Sequence, residues 1–238
     1  MTPAEYILST LEVLSKPVPT VDISEVSLKD AVYSKVMSKK FRKLKPADLC
    51  VNLTKKAIEI AISENKPIRI VEMFGGNKLW RFNEAPEIDW AELFSLTFFI
   101  QWSRLIASVY EPGVIFEYLS QDISVESLNN VPRHETDKYS ESFRELIKFV
   151  EPYLPPNISV KYTRHFELFD NPDDYYDEMI SAKEEVLKEN LSKAMVRLKK
   201  FEIDKNEEGI KVELGICQEI SKKLSEIKLK YLNTNNGK

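Results

Sequence analysis

Apolar residues recur at helical spacing over most of this chain, and three short runs rich in β-branched and aromatic residues interrupt them. Tyr6, Ile7, Leu11 and Leu14 predict a short packing helix over residues 4–15, which stops at Lys16-Pro17-Val18-Pro19 because proline cannot continue a helix. A further helix is expected over residues 27–37. Leu49, Leu53, Ala57, Ile60 and Ala61 share one face of a helix over 47–65, opened by Pro46 and closed by Asn65 ahead of Pro67.

The first β-rich run is Pro67 to Phe74, ending at Gly75-Gly76, the pattern of a strand entering a turn. After a long connection, Asp89 with Glu92 three residues on forms a capping-box pair that opens a helix to about Val109. Gly113 to Leu119 reads as a second strand, and residues 124–128 as a short helix. Tyr139, Phe143, Leu146, Ile147 and Val150 predict a helix from about Thr136, halted by Pro152 and Pro155-Pro156. Asn157 to Thr163 is a third strand. Helices follow over about 173–201 and 208–231, and the polar tail from Asn233 to Lys238 is expected to be disordered.

Strands separated by helix-length crossovers predict a parallel sheet. The expected fold is α/β: a three-layer Rossmann-like parallel sheet over residues 67–170, with N-terminal helices over 1–66 packed on it and a C-terminal helical extension over 171–238.

Composition narrows the function classes. At 238 residues and 43% hydrophobic, the chain can bury one sizeable core with a helical appendage left over. Its most apolar stretch, Trp90 to Tyr110, is broken by Glu92, Gln101 and Arg104, which predicts a buried helix rather than a membrane span. No secretory signal is readable at the N-terminus, so a cytoplasmic protein is expected. Cys50 and Cys217 lack the spacing of a zinc or disulfide framework. A net charge of −4 argues against a general nucleic-acid binder. The basic cluster from Lys35 to Lys56 reads either as a phosphate or RNA contact or as a solvated helix face.

In parallel sheets, ligands bind beyond the carboxyl ends of the strands. Those ends supply Phe74-Gly75-Gly76-Asn77-Lys78, then Ser120-Gln121-Asp122, then Arg164-His165-Phe166-Glu167. Two of the chain's six glycines stand together at the first end, where backbone N–H groups can approach an anion and Lys78 adds a charge. Neither a P-loop nor a GxGxxG pattern is present, so no nucleotide cofactor is expected. Trp80 and Arg81 belong to a connection long enough to suggest a working loop, and either cover a ligand or pack the loop down. Asp122 reads as a metal ligand, a base, an amine partner or plain turn chemistry. His134 and His165 are the two histidines, so any imidazole chemistry uses one of them. Glu87 and Asp89 are weak metal candidates, because capping explains Asp89. No metal is expected.

Three of these segments carry a resemblance: Phe74-Gly75-Gly76-Asn77-Lys78, Val109-Tyr110-Glu111-Pro112-Gly113, and Ser120-Gln121-Asp122 followed by Leu128 and Val131. Over residues 67–153 the chain resembles the isocyanide (isonitrile) synthases, in which a strand enters a Phe-Pro-x-Lys-like loop, a helix leads to Tyr-x-Pro-Gly, and a strand ends in Ser-Asp-Gly. Gly75-Gly76 replaces the proline turn here, Gln121 separates Ser120 from Asp122, and the family's C-terminal catalytic portion has no counterpart after Asp173.

The resemblance implies a similar scaffold and a transferase or condensing reaction joining an amino-acid amine to a pentulose phosphate. Lys78 would hold the anionic substrate and Asp122 would lie near the amine. Catalytic candidates are thus Lys78, Asp122 and His165, and substrate-binding candidates Gly75, Gly76, Asn77, Trp80, Arg81, Arg164 and Glu167. The alternative is a non-catalytic scaffold that binds a partner, or a second copy as a homodimer, through its C-terminal helices.

Overall fold

The structure is a computed structural model that describes residues 2–41, 47–74, 87–129 and 131–235. Helices α1 (Pro3–Ser15), α2 (Leu28–Val36) and α3 (Asp48–Ser63) precede strand β1 (Ile68–Phe74). Then follow α4 (Trp90–Ala107), β2 (Val114–Ser120), α5 (Asp122–Asn129), α6 (Arg133–Val150) and β3 (Ile158–Arg164), and finally α7 (Pro172–Ile203) and α8 (Glu207–Asn235). Short 3-10 turns follow α6 at Glu151–Tyr153 and β3 at His165–Glu167. Several bounds differ from the pattern reading, and α8 runs through Asn235, so Asn233 to Asn235 are helical where a disordered tail is expected. Helix α5 begins at Asp122, and α6 begins at Arg133, so Arg133 and His134 form its first turn rather than preceding it.

The chain divides into two compact units. The first runs to Asp122 and resumes over Val131–Leu168; the second joins Ile123 through residue 130 to the chain from Phe169 onward.

In the first unit the three strands form a parallel sheet in the order β1-β2-β3. Ile68 pairs with Val114 and Val114 with Ile158 at one end, and Phe74 with Ser120 and Ser120 with Arg164 at the other. Side chains alternate across the pleat. Phe116 and Tyr118 meet Phe99 of α4, while Tyr118 and Tyr162 meet Phe143 of α6. Both crossover helices therefore cover the same face.

The opposite face shows Arg69, Val71 and Met73 on β1 and Ser159 and Lys161 on β3, all exposed. The three-layer expectation is thus corrected: helices cover one face of the sheet among the described residues. Two crossovers of the same hand, stepping in the same direction, place both helices on one side, and three strands supply no reversal that would populate the other.

The N-terminal helices add to the helical side. Arg104 of α4 donates through one terminal nitrogen to the carbonyls of Leu14 at 2.7 Å and Lys16 at 2.6 Å, holding the C-terminal end of α1. Trp102 Nε1 donates to Lys35 O of α2 at 3.3 Å, and Tyr110 Oη lies within donating distance of Ala61 O in the last turn of α3 and of Lys66 O beyond it, at 3.1 and 2.8 Å. Leu11, Leu14, Val32, Leu96, Ile100 and Ile106 are fully buried along this seam.

In the second unit α7 and α8 form a long antiparallel hairpin. Ile180, Ala194 and Ile227 are buried, and Arg197 meets Glu213 through two hydrogen bonds at 2.7 and 3.1 Å. Lys183 Nζ caps the end of α5 by donating to Ser127 O and Leu128 O at 3.1 and 2.8 Å. No helix of the described residues is long and apolar enough to cross a membrane.

Candidate functional site at the carboxyl edge of the sheet

The pairing of Phe74, Ser120 and Arg164 sets the three strand ends side by side, so the residues leaving each strand start from one edge. Gly75, Gly76, Asn77, Lys78, Trp80 and Arg81 lie outside the described residues. The other strand-end candidates are described, and they are brought together.

Asp122 opens α5 and is 1% exposed. A carboxylate this deep requires a cationic or hydrogen-bonding partner. Arg164 supplies it: Nε donates to Asp122 Oδ2 at 2.5 Å, and a terminal nitrogen donates to Asp137 Oδ1 of α6 at 2.6 Å. Burial opposes the guanidinium charge, but the hydrogen bonds and charges of Asp122 and Asp137 outweigh it and push the Arg164 pKa up. The Arg164 backbone N–H donates to Glu167 Oε2 at 3.0 Å, and Arg144 of α6 pairs with the other oxygen of Glu167. Phe166 lies beneath two cations, with the Arg133 and Arg164 guanidinium carbons 4.3 and 5.5 Å from its ring centre. His165 is half-buried in the same 3-10 turn.

No family model, curated protein or solved structure matches this chain.

Sequence patterning missed several of these residues. Glu92 is the far half of the α4 capping box, accepting from Asp89 N at 2.7 Å through Oε2. Its other oxygen accepts from Tyr139 Oη at 3.2 Å, so a buried carboxylate joins α4 to α6 below the sheet edge. Nearby hydroxyls pair Tyr162 with Ser140 at 3.0 Å and Ser95 with Tyr118 at 3.4 Å. Burial pushes the phenol pKa of Tyr118, Tyr139 and Tyr162 up, and neighbouring carboxylates add to the shift. Tyr139 was legible as an apolar helix position, but its hydroxyl partner was not. Asp137 and Arg144 carried no signal, because exposed charges on a helix are ordinary.

Glu117 was also overlooked, although an acidic residue inside the apolar run G-V-I-F-E-Y-L marked it. It is buried on the face opposite α4, where Arg69 Nε of β1 and Thr163 Oγ1 of β3 each donate to it at 2.6 Å, tying the three strands together. Burial raises its pKa, but these two hydrogen bonds and the charges of Arg69 and Lys161 overcome that and hold the carboxyl below its ordinary value.

His134 is exposed at the start of α6, with Nε2 at 2.9 Å from Glu135 Oε1. Among the described residues no group of three or more His, Cys, Asp or Glu side chains could hold a metal ion. Chemically, the edge offers a fixed guanidinium, an imidazole beside it and a strand-end carboxylate that orients the guanidinium. The charge of Arg164 is met by both Asp122 and Asp137.

Proposed function

We propose that this chain is a small-molecule enzyme of the transferase or condensing type, acting on an amino acid and/or a phosphorylated sugar at the carboxyl edge of its sheet, as the isocyanide-synthase resemblance implies. The observation that supports it is the shared register of Phe74, Ser120 and Arg164, which gathers the three strand ends at one edge. In this reading Lys78 holds the anionic group. Arg164, oriented by Asp122 and Asp137, stands at the end of β3, and His165 carries the proton that leaves the amine. Asp122 acts on Arg164 as a positioning residue, because its carboxylate is engaged there.

The test is thermal stabilisation of the full chain by free amino acids, inorganic phosphate and pentulose phosphates, singly and in pairs. A pair that raises the melting temperature more than either component supports the reading, provided that Lys78→Ala and Arg164→Gln each lose the shift. A shift of unchanged size in both variants would remove the site from this edge.

A further inference from the structure

The end of α4 brings Gln101, Arg104, Leu105 and Ser108 to one face, because residues three and four apart stand side by side on a helix. Together with Val18, Pro19, Val21, Lys40 and Phe41 they line a groove of about 340 Å³. Small-molecule sites run from about 300 to 1,000 Å³, so the groove is large enough for a small ligand. Its walls are mostly apolar. Val21 N donates to Ser108 O at 2.8 Å, which ties one wall to the end of α4. Phe41 lies against Phe98 and Trp102, with ring centres 5.1 and 6.4 Å apart, which holds the other.

Two cations line these apolar walls, and neither pairs with a carboxylate among the described residues. Arg104 Nη1 donates to Leu14 O and Lys16 O, which fixes the guanidinium against the end of α1. Holding α1 occupies that one nitrogen; Nε and Nη2 make no hydrogen bond among the described residues. Nε and Nη2 form the edge of the guanidinium fork that meets both oxygens of a carboxylate in parallel hydrogen bonds. Burial pushes the Arg104 pKa down with no carboxylate to oppose it, whereas Asp122 and Asp137 push that of Arg164 up. Lys40 Nζ stands 5.4 Å from the Phe41 ring centre, beside the same wall, and forms no ion pair among the described residues.

Charge and lining together indicate the ligand. A free inorganic anion meets the cations and leaves the apolar walls unfilled; a neutral apolar molecule fills the walls and leaves the cations unmet. We propose that this groove binds a small carboxylic acid with an aliphatic or aromatic body. Its carboxylate bonds to Nε and Nη2 of Arg104 with Lys40 beside it, and its body lies against Val18, Val21, Phe41 and Leu105. The site is separate from the carboxyl edge of the sheet. Ser95 meets Tyr118 near the carboxyl end of β2 and Phe99 meets Phe116 nearer its start, so α4 runs toward the amino end of the strands and places the groove there.

The experiment is isothermal titration of the full chain with octanoate and 3-phenylpropionate, and with the corresponding alcohols as uncharged counterparts. The acids are expected to bind at a single site, and the alcohols about tenfold or more weakly, the loss that follows when charge-assisted hydrogen bonds are not made. Lys40→Gln, an exposed change, should weaken octanoate about threefold. Arg104→Lys keeps the charge and loses the fork, and should weaken it about tenfold. Val21 is exposed and its tie to Ser108 is made by backbone, so Val21→Glu should keep the circular dichroism spectrum and, by setting a carboxylate in the groove, abolish binding. Lys78→Ala should leave octanoate affinity unchanged, which distinguishes this site from the one proposed at the strand ends. Acids and alcohols of equal affinity, no saturable binding of either acid, inorganic phosphate that binds as tightly as octanoate, octanoate affinity unchanged in Lys40→Gln and Val21→Glu, or its loss in Lys78→Ala would each overturn the proposal.

Discussion

Arg164 Nε and Asp122 Oδ2, 2.5 Å apart, join the ends of β3 and β2 across 42 positions of sequence. The carboxylate is buried and the guanidinium nearly so, so each charge depends on the other. Removing Arg164 leaves Asp122 buried without that counter-charge, whereas removing Asp122 leaves Arg164 its bond to Asp137. Arg164→Met should therefore cost about 3 kcal/mol in urea unfolding. Combining it with Asp122→Ala should cost less than the sum of the two single changes, and strict additivity would show that the pair is not coupled.

Glu117 gives the acid limb of stability a specific source. Its folded pKa lies below the ordinary value of 4.5, so the unfolded chain takes up the proton first as pH falls. The stabilisation is whole above about pH 4.5 and is lost as pH falls through the lower folded value. Glu117→Gln should be less stable than wild type near neutrality, and the gap should close on acidification. Parallel stability curves for the two proteins across this range would exclude Glu117 as the titrating group.

The buried phenols act at the other extreme. Tyr118, Tyr139 and Tyr162 have folded pKa values above the ordinary 10.0, so above that pH the unfolded chain releases protons that the folded chain keeps. Their stabilisation is complete below pH 10 and lost as pH climbs toward the folded values. Spectrophotometric titration should show the exposed tyrosines ionising reversibly, and these three ionising only as the circular dichroism signal collapses. Smooth titration of all ten tyrosines in the folded protein would contradict the buried network.

Gly113 precedes β2 at φ +80°, and a Cβ there would run into the carbonyl of Asn157 at the start of β3. Both the backbone conformation and the close approach demand glycine. Gly113→Ala should lower stability by more than about 2 kcal/mol, since left-handed strain and displacement of a neighbouring strand add. Chemical denaturation measures it directly, and a cost of only a few tenths would mean that β3 yields freely at this point.

The helices and strands were legible because their signals are local. The β-branched and apolar run I-R-I-V-E-M-F, the Asp89 and Glu92 capping pair, and the proline stops after Ser15 and Val150 each act within a few residues of the structure they set. The strand-end positions of Asp122 and Arg164 were legible for the same reason. Their bond was not, because it depends on β2 and β3 being neighbours in a particular register. The same limit hid the second role of Glu92. Its link to Asp89 spans three residues, whereas its link to Tyr139 spans 47.

Sequence alone therefore determined which segments are helix and strand, that the strands are parallel, and which residues leave the strands at their carboxyl ends. Tertiary structure decided that, among the described residues, helices cover one sheet face, that Glu117 is locked between Arg69 and Thr163, and that α4 turns aromatic rings outward. Hydrophobic periodicity specifies that a face is apolar, and it is blind to what that face meets. Only packing, which closes contacts across tens of residues at once, assigns each face to a neighbour or to water.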